Sequence, residues 1–220
     1  MTDSDPIPDL DVAASIEARR STKDFLPDPI DSSCLEQILH LTTEAPSSWN
    51  LQPWRIIVVD DPEAREQLHE ACFRQRQVLE APVTIVFAVD VGAWQRDMGP
   101  IIEQARKAGA WPDSYCDIAQ KAIPGGQGAL ETSGRLREYA IKDAMIAATQ
   151  CVLAATSFGL KTTFMNGWRE QAVKDVIGAS GRDEIAIAVL VVMGHAEQTL
   201  PHPGRLPRSE TVFRQRLGDG

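Results

Sequence analysis

The chain has 220 residues, 43% hydrophobic and 24% charged, which makes it globular rather than disordered and long enough to bury a core of one generous domain. Its 31 acidic against 22 basic residues leave a net charge of −9, which argues against a general nucleic-acid binder but leaves room for a local basic pocket. Four widely spaced cysteines (Cys34, Cys72, Cys116, Cys151) form no C-x-x-C pair, so neither a disulfide framework nor a zinc site is expected, and reduced thiols in a cytoplasmic protein fit best. No apolar stretch is long enough to span a bilayer, and the acidic opening Thr2–Pro6 has no apolar run behind it, so neither a membrane partner nor a signal peptide is expected.

Residues 1–9 read as a loose acidic lead-in. A helix is predicted from Asp11 through Val12, Ala13, Ile16 and Ala18, ending at Arg19-Arg20-Ser21-Thr22-Lys23-Asp24-Phe25. Cations there complement a helix C-terminus. Three cations in five residues, with hydroxyls between them, equally suit a phosphate clamp. Ser33-x-x-Glu36 has the form of a capping box before a helix carrying Leu35, Ile38, Leu39 and Leu41.

Next comes a polar hinge, Glu44 to Arg55. Pro46 and Pro53 each remove a backbone donor and restrict the preceding residue, so the helix cannot continue. Ser47, Ser48, Asn50 and Gln52 offer donors and acceptors suited to a ligand with many polar edges, such as a flavin ring. Ordinary turn chemistry accounts for the same composition. Ile56–Asp60 is predicted as a strand covered on both faces, and Asp61-Pro62-Glu63 as the start of a helix carrying Leu68, Cys72 and Phe73. Val83–Val89 is a second buried strand.

Residues 91–134 are predicted to form two helices, one through Trp94, Met98, Ile101, Ile102 and Ala105 and another starting at Trp111-Pro112-Asp113. They form either a lid over a pocket or a surface insertion. Gly125-Gly126-Gln127-Gly128 reads as a flexible break, without the flanking strand and helix of a dinucleotide fingerprint. In Leu136–Leu160 the polar pairs Lys142-Asp143, Thr149-Gln150 and Thr156-Ser157 recur every seven residues among apolar ones. That pattern predicts a long buried helix with one polar stripe, which either threads the core or packs against a second copy of the chain, and its many alanines favour the second. Lys161–Trp168 is extended, a short helix holds Val173, Val176 and Ile177, and Ile185–Met193 is a third buried strand. Residues 199–220 form a Pro- and Arg-rich arm.

Taken together, these segments resemble the FMN-dependent nitroreductase family. Arg19-Arg20-Ser21-Thr22-Lys23-Asp24-Phe25 is similar to its R-[RH]-S-x-[RK]-x-F motif, and Ala45–Trp54 to its A-P-S-x-x-N-x-Q-P-W loop. Val189–Gly194 with Gly204-Arg205-Leu206-Pro207 resembles its last strand and Arg-bearing tail, more loosely. The resemblance implies a single α+β domain, 1–220, with a three-layer sandwich of a mixed central sheet between helices. It also implies a homodimer with the long helix at its interface and FMN at two inter-subunit sites. Arg19, Arg20 and Ser21 would then hold the phosphate and ribityl end, with Arg205 completing the clamp. Lys23 would approach the pyrimidine edge, and Pro46, Ser47, Ser48 and Asn50 would come from the other subunit. Arg74 or Gln77 would touch the pyrimidine or ribityl side, and Met165, Asn166 and Gly167 would face the N5 edge. Two departures stand out: Pro203 lies where some members carry a cation, and Phe164–Gly167 lacks the acidic residue of one bacterial subgroup.

The implied activity is ping-pong hydride transfer from NAD(P)H through flavin N5 to a small acceptor, a nitroaromatic, quinone or enone. Reduction leaves negative charge near flavin N1 and the C2 carbonyl, so a nearby cation stabilises the reduced form. This chemistry asks for no catalytic acid or nucleophile. The sequence carries no H-E-x-x-H metal motif, G-x-S-x-G elbow or G-K-[ST] signature, and His40, His69, His195 and His202 are scattered. Other chemistry on the same fold (dehydrogenation, dehalogenation, flavin fragmentation) and a non-catalytic flavin carrier are the alternatives.

Overall fold

The computed structural model describes residues 10–218, so the acidic lead-in lies outside the described residues. In chain order they form α1 (Val12–Ala18), α2 (Ser32–Thr43), β1 (Trp54–Val59), α3 (Pro62–Ala71), α4 (Gln77–Glu80), β2 (Val83–Asp90), α5 (Gly99–Lys107), α6 (Asp113–Thr132), α7 (Leu136–Ser157), β3 (Lys161–Met165), α8 (Glu170–Val176), β4 (Ile185–Gly194) and α9 (Arg208–Thr211). Single 3₁₀ turns lie at Ser48–Asn50 and Ala93–Gln95.

The strands lie in the order β1-β2-β4-β3, and each neighbouring pair is antiparallel. Among the described residues a parallel component enters only as a bridge between Ser21 and Thr162, beside β3. Strands β2 and β4 are buried along their whole length, as their continuous β-branched runs require. Strand β1 is less enclosed than its sequence suggests: Arg55 to Val58 are only half-buried, because it has no outer neighbour in the sheet.

Strand alternation distributes the apolar residues into layers. Val83, Ile85, Phe87 and Val89 of β2 face Ile38 of α2 and Ala144, Ala147, Ala148 and Cys151 of α7. Val86 and Ala88 face the other way, towards Leu68 of α3 and Val173 of α8. Between Phe87 and Ala88 the register slips, so Phe87 pairs with Val189 and Ala88 with Ile187. Ala188 is the extra residue, which is why Ala188 and Val189 both fall on the α7 side. Each fully buried Val, Leu, Ile or Phe contributes about 1.5–3 kcal/mol.

Three local expectations are revised. Helix α2 is capped by Asp31, not by a Ser33 box: the Asp31 carboxylate accepts from the Ser33 and Cys34 amides at 2.9 and 3.1 Å. The glycines at 125–128 do not break the chain; α6 runs through them and through Pro124. Burial of Cys116, Ala119, Ile123 and Gln127 on one face outweighs about 1 kcal/mol of helix propensity lost per glycine. Third, the polar pairs of α7 do not form one stripe, since adjacent residues diverge by about 100° around a helix. Asp143, Thr156 and Ser157 are buried, whereas Lys142 and Thr149 are exposed. The face left uncovered carries Lys142, Ile146 and Thr149, with Met145 and Leu153 half-buried beside them.

Gly194 ends β4 where the chain passes Pro82 and Phe25. A Cβ there would lie 2.6 Å from Pro82 Cδ and 3.3 Å from Phe25 Cδ1. Gly194→Ala is therefore expected to destabilise the fold by about 1–3 kcal/mol in urea unfolding. An unchanged midpoint would show that Pro82 moves aside without cost.

Candidate functional site

The basic segment starts where α1 stops. Asp11 caps α1, accepting the Ala14 amide at 2.8 Å, and the chain turns extended at Arg19. Arg20 Nη1 donates back to Glu17 O (2.6 Å) and Arg19 O (2.8 Å), so part of this cation's role is to satisfy carbonyls at the helix end. Ser21 then bridges Thr162, and the Thr22 amide donates to Thr162 O at 3.1 Å. These contacts lay the Arg-Ser-Thr segment alongside β3, the strand that leads into Met165-Asn166-Gly167. Lys23 is exposed and lines an open cleft of about 350 Å³ with Phe25, Leu26, Glu197, Gln198 and Leu200.

Arg205 reaches the same place from the other end of the chain. Burial, and then repulsion from Arg20 and Arg205, lowers the pKa of the Arg19 guanidinium below its ordinary value. His202 joins this cluster: its Nδ1 accepts the Gly204 amide at 2.9 Å, and burial, Arg205 and Arg20 lower its pKa. Among the described residues, Arg19, Arg20 and Arg205 form no ion pair with a carboxylate. Among the described residues the three guanidinium groups have no carboxylate partner, and burial first, then repulsion from Arg20 and Arg205, disfavours the charged form of Arg19, a setting suited to an anion.

The hinge loop is a second element of the site. Trp49, Asn50 and Gln52 all have positive φ (55°, 54° and 46°), the left-handed region that costs a non-glycine residue about 1–2 kcal/mol. Several contacts hold them there. Ser47 Oγ accepts the Gln52 amide at 3.0 Å, and Gln52 Nε2 donates to Asn50 Oδ1 at 3.2 Å. Arg55 Nη1 donates to Gln52 O at 3.3 Å, and its Nη2 pairs with the buried Asp90 at 3.2 Å. The Trp49 ring stacks on Tyr115 with centroids 6.0 Å apart, and Trp111 meets Tyr115 edge-on at 5.1 Å. Leu51 joins Ile102, Cys116, Ala119 and Ile123, so α5 and α6 pack onto the loop.

Asp143 of α7 also holds this loop, accepting the Ser48 amide at 3.2 and 3.3 Å from its two oxygens and the Ser48 hydroxyl at 3.4 Å. Among the described residues no hydrogen bond or ion pair joins Pro46, Ser47, Ser48 or Asn50 to Arg19–Lys23. Within the chain the loop and the cation cluster are separate elements.

The third element is the turn after α3. Phe73 and Arg74 are both left-handed (φ 55° and 57°). Arg74 points outward, its Nε bonded to Glu70 at 2.9 Å, and Gln77 is buried with Nε2 on Gln75 Oε1 at 3.2 Å. Between them, Gln75 reaches the other candidate segment: its Nε2 donates to Gly167 O at 2.9 Å and to Cys72 O at 3.1 Å. Met165 is buried and Asn166 exposed at the end of β3. Sequence reasoning thus missed Gln75, Asp143 and His202. The one available signal was Asp143, a carboxylate set among the alanines of α7.

A family model described as the nitroreductase family matches residues 16–195. Among similar proteins, a Thermus thermophilus protein named NADH dehydrogenase is 31% identical, covering 94% of this chain and 97% of its own. The NADPH-flavin oxidoreductase of Vibrio harveyi is 27% identical over 90% of this chain and 71% of its own. An FMN complex of a nitroreductase homologue from Exiguobacterium sibiricum superposes with a TM-score of 0.82 at 25% identity, covering 95% of this chain and 99% of that one. The family match spans both the cation segment and the hinge loop, and the chain belongs to the nitroreductase family.

Proposed function

We propose that this protein is an FMN-dependent NAD(P)H oxidoreductase, working as a homodimer on small electron acceptors. The observation that carries the reading is the convergence of Arg19, Arg20 and Arg205 from opposite ends of the chain without a carboxylate partner among the described residues. Such a site suits the phosphate of FMN, and the Exiguobacterium relative is itself an FMN complex. When bound, FMN would supply the redox chemistry, a ping-pong exchange of hydride between NAD(P)H and an acceptor such as a nitroaromatic, quinone or enone. Both nicotinamides are in play, since one relative is named for NADH and another for NADPH.

The chain's own residues bind and orient. Arg19, Arg20, Ser21 and Arg205 hold the phosphate and ribityl end. Lys23 places a cation near the pyrimidine edge. The Met165-Asn166-Gly167 backbone, braced by Gln75, borders the reacting face, with Arg74 and Gln77 flanking that brace. Pro46, Ser47, Ser48 and Asn50 close the site from the second protomer, which accounts for the two elements being separate within one chain. The pairing surface is the uncovered face of α7 with α1: Ile146, Val12 and Ile16 are exposed, and a cleft of about 420 Å³ lies between Leu10, Val12, Leu41 and Leu153. Helices α5 and α6 form a wall over the loop within the same domain, and the arm at 199–218 supplies Arg205.

Three outcomes are expected. The purified protein is yellow, and anaerobic NADH or NADPH bleaches it; a flavin that stays oxidised with both donors would remove the oxidoreductase reading. Arg20→Ala combined with Arg205→Ala weakens FMN at least about a hundredfold in fluorescence titration, since charge-assisted bonds are the strong ones. Full FMN occupancy of that variant after dialysis would contradict the clamp. Ile146→Asp yields a monomer in sedimentation and loses FMN with it, whereas a flavin-loaded monomer would show that one chain forms the whole site.

A further inference from the structure

Helix α7 carries Asp143 in a stretch otherwise built for close apolar packing, with Ala140, Ala144, Ala147 and Ala148 buried around it. Asp143 is 7% exposed. Burial raises its carboxyl above the usual carboxylate range, opposed by the hydrogen bonds from the Ser48 amide and hydroxyl. A buried carboxylate is a net cost to a fold unless its hydrogen bonds return that cost. Here the return falls on one loop residue, Ser48, 95 positions away in sequence. Both bonds end beside Trp49 and Asn50, two of the left-handed residues.

We propose that Asp143 is a positioning residue: anchored in the core helix, it fixes Ser48 and so holds the Ser47–Gln52 loop in its binding conformation. It also sets the polarity of the loop. A carboxylate only accepts, so the Ser48 hydroxyl proton points to Asp143 and the lone pairs of Ser48 Oγ remain for a ligand. Ser48 therefore presents an acceptor, matched to a ligand O–H or N–H such as a ribityl hydroxyl. This assignment of ligand class rests on the FMN reading; the holding of the loop does not.

Two measurements test the proposal separately. Hydrogen exchange in the flavin-free protein reads the loop alone: in Asp143→Ala the amides of Ser48 to Gln52 exchange about tenfold or more faster, while those of β2 and β4 do not change. Wild-type protection of the loop in that variant would overturn the proposal. FMN titration reads the coupling. Asp143→Ala and Ser48→Ala each weaken FMN about tenfold, and the double variant is no weaker than either alone. Asp143→Asn, which keeps the shape and an acceptor oxygen for the Ser48 amide and hydroxyl, protects the loop amides. Additive losses would overturn the coupling on which the polarity assignment rests. If the wild-type protein binds no FMN, the functional reading falls and hydrogen exchange still decides the role of Asp143.

Discussion

Strands β2 and β4 are apolar on both faces, and the rest of the architecture answers that constraint. A sheet whose centre cannot face water needs a helical layer on each side. Helices α2 and α7 cover one face, and α3 and α8 the other. The centre of the sheet is thereby closed to ligands, and the polar elements are left to its perimeter. Strand β3, at one edge, receives Ser21 through a backbone bridge and runs on into Met165-Asn166-Gly167. Strand β1, at the other edge, begins as the hinge loop ends. The candidate site is thus placed by the core, which reaches it through two buried carboxylates, Asp143 of α7 and Asp90 of β2.

At that perimeter the chain tolerates arrangements that oppose its own stability. Arg19 sits against two other guanidinium groups, Trp49, Asn50 and Gln52 adopt left-handed backbone, and Asp143 buries a carboxylate. Each is a local cost of the order of a kcal/mol or more, against a net stability of about 5–15 kcal/mol for a typical domain. They fall in the cation cluster and around the hinge loop, with further left-handed backbone at Phe73 and Arg74 in the turn after α3 and at Gln215. Ordinary packing would have removed them, since an alanine at 143 suits the surrounding helix better than an acid. Their clustering is what a site built to meet a ligand predicts.

The sequence announced the elements better than their ends and their contacts. The buried strands β2 and β4 and the long helix were legible because β-branched runs and apolar periodicity report directly on burial, whereas β1, with the same kind of run, is half-buried at the sheet edge. The two-helix character of 91–134 was legible too, but the continuity of α6 was not. Glycine propensity acts locally, whereas Ile123 is held by Leu51 and Ile102, far away in sequence. Capping was misassigned for a related reason: Asp31 and Ser33 are both good N-cap residues, and only backbone direction chooses between them. The motif segments were visible as polar stretches beside apolar ones. That Arg205 lies beside Arg19 and Arg20 follows from the path of the tail, which no local pattern encodes.

The turn after α3 shows where spacing arguments stop working. Arg74 and Gln77 lie three residues apart, a separation that places both on one face of a continuous helix. Helix α3 ends at Ala71, however, and the chain passes through two left-handed residues, Phe73 and Arg74, before α4 begins. Each positive φ swings the following side chains out of helical register. Arg74 is thereby directed outward to Glu70 and Gln77 into the interior, and the side chain between them meets Gly167. Gln75 then serves both sides of the junction, donating to Cys72 O within its own turn and to Gly167 O across the fold. The local strain at 73 and 74 and the long-range contact at 75 are parts of one arrangement. The backbone departs from regular geometry at the point where regular geometry would have left the Gly167 carbonyl without that donor.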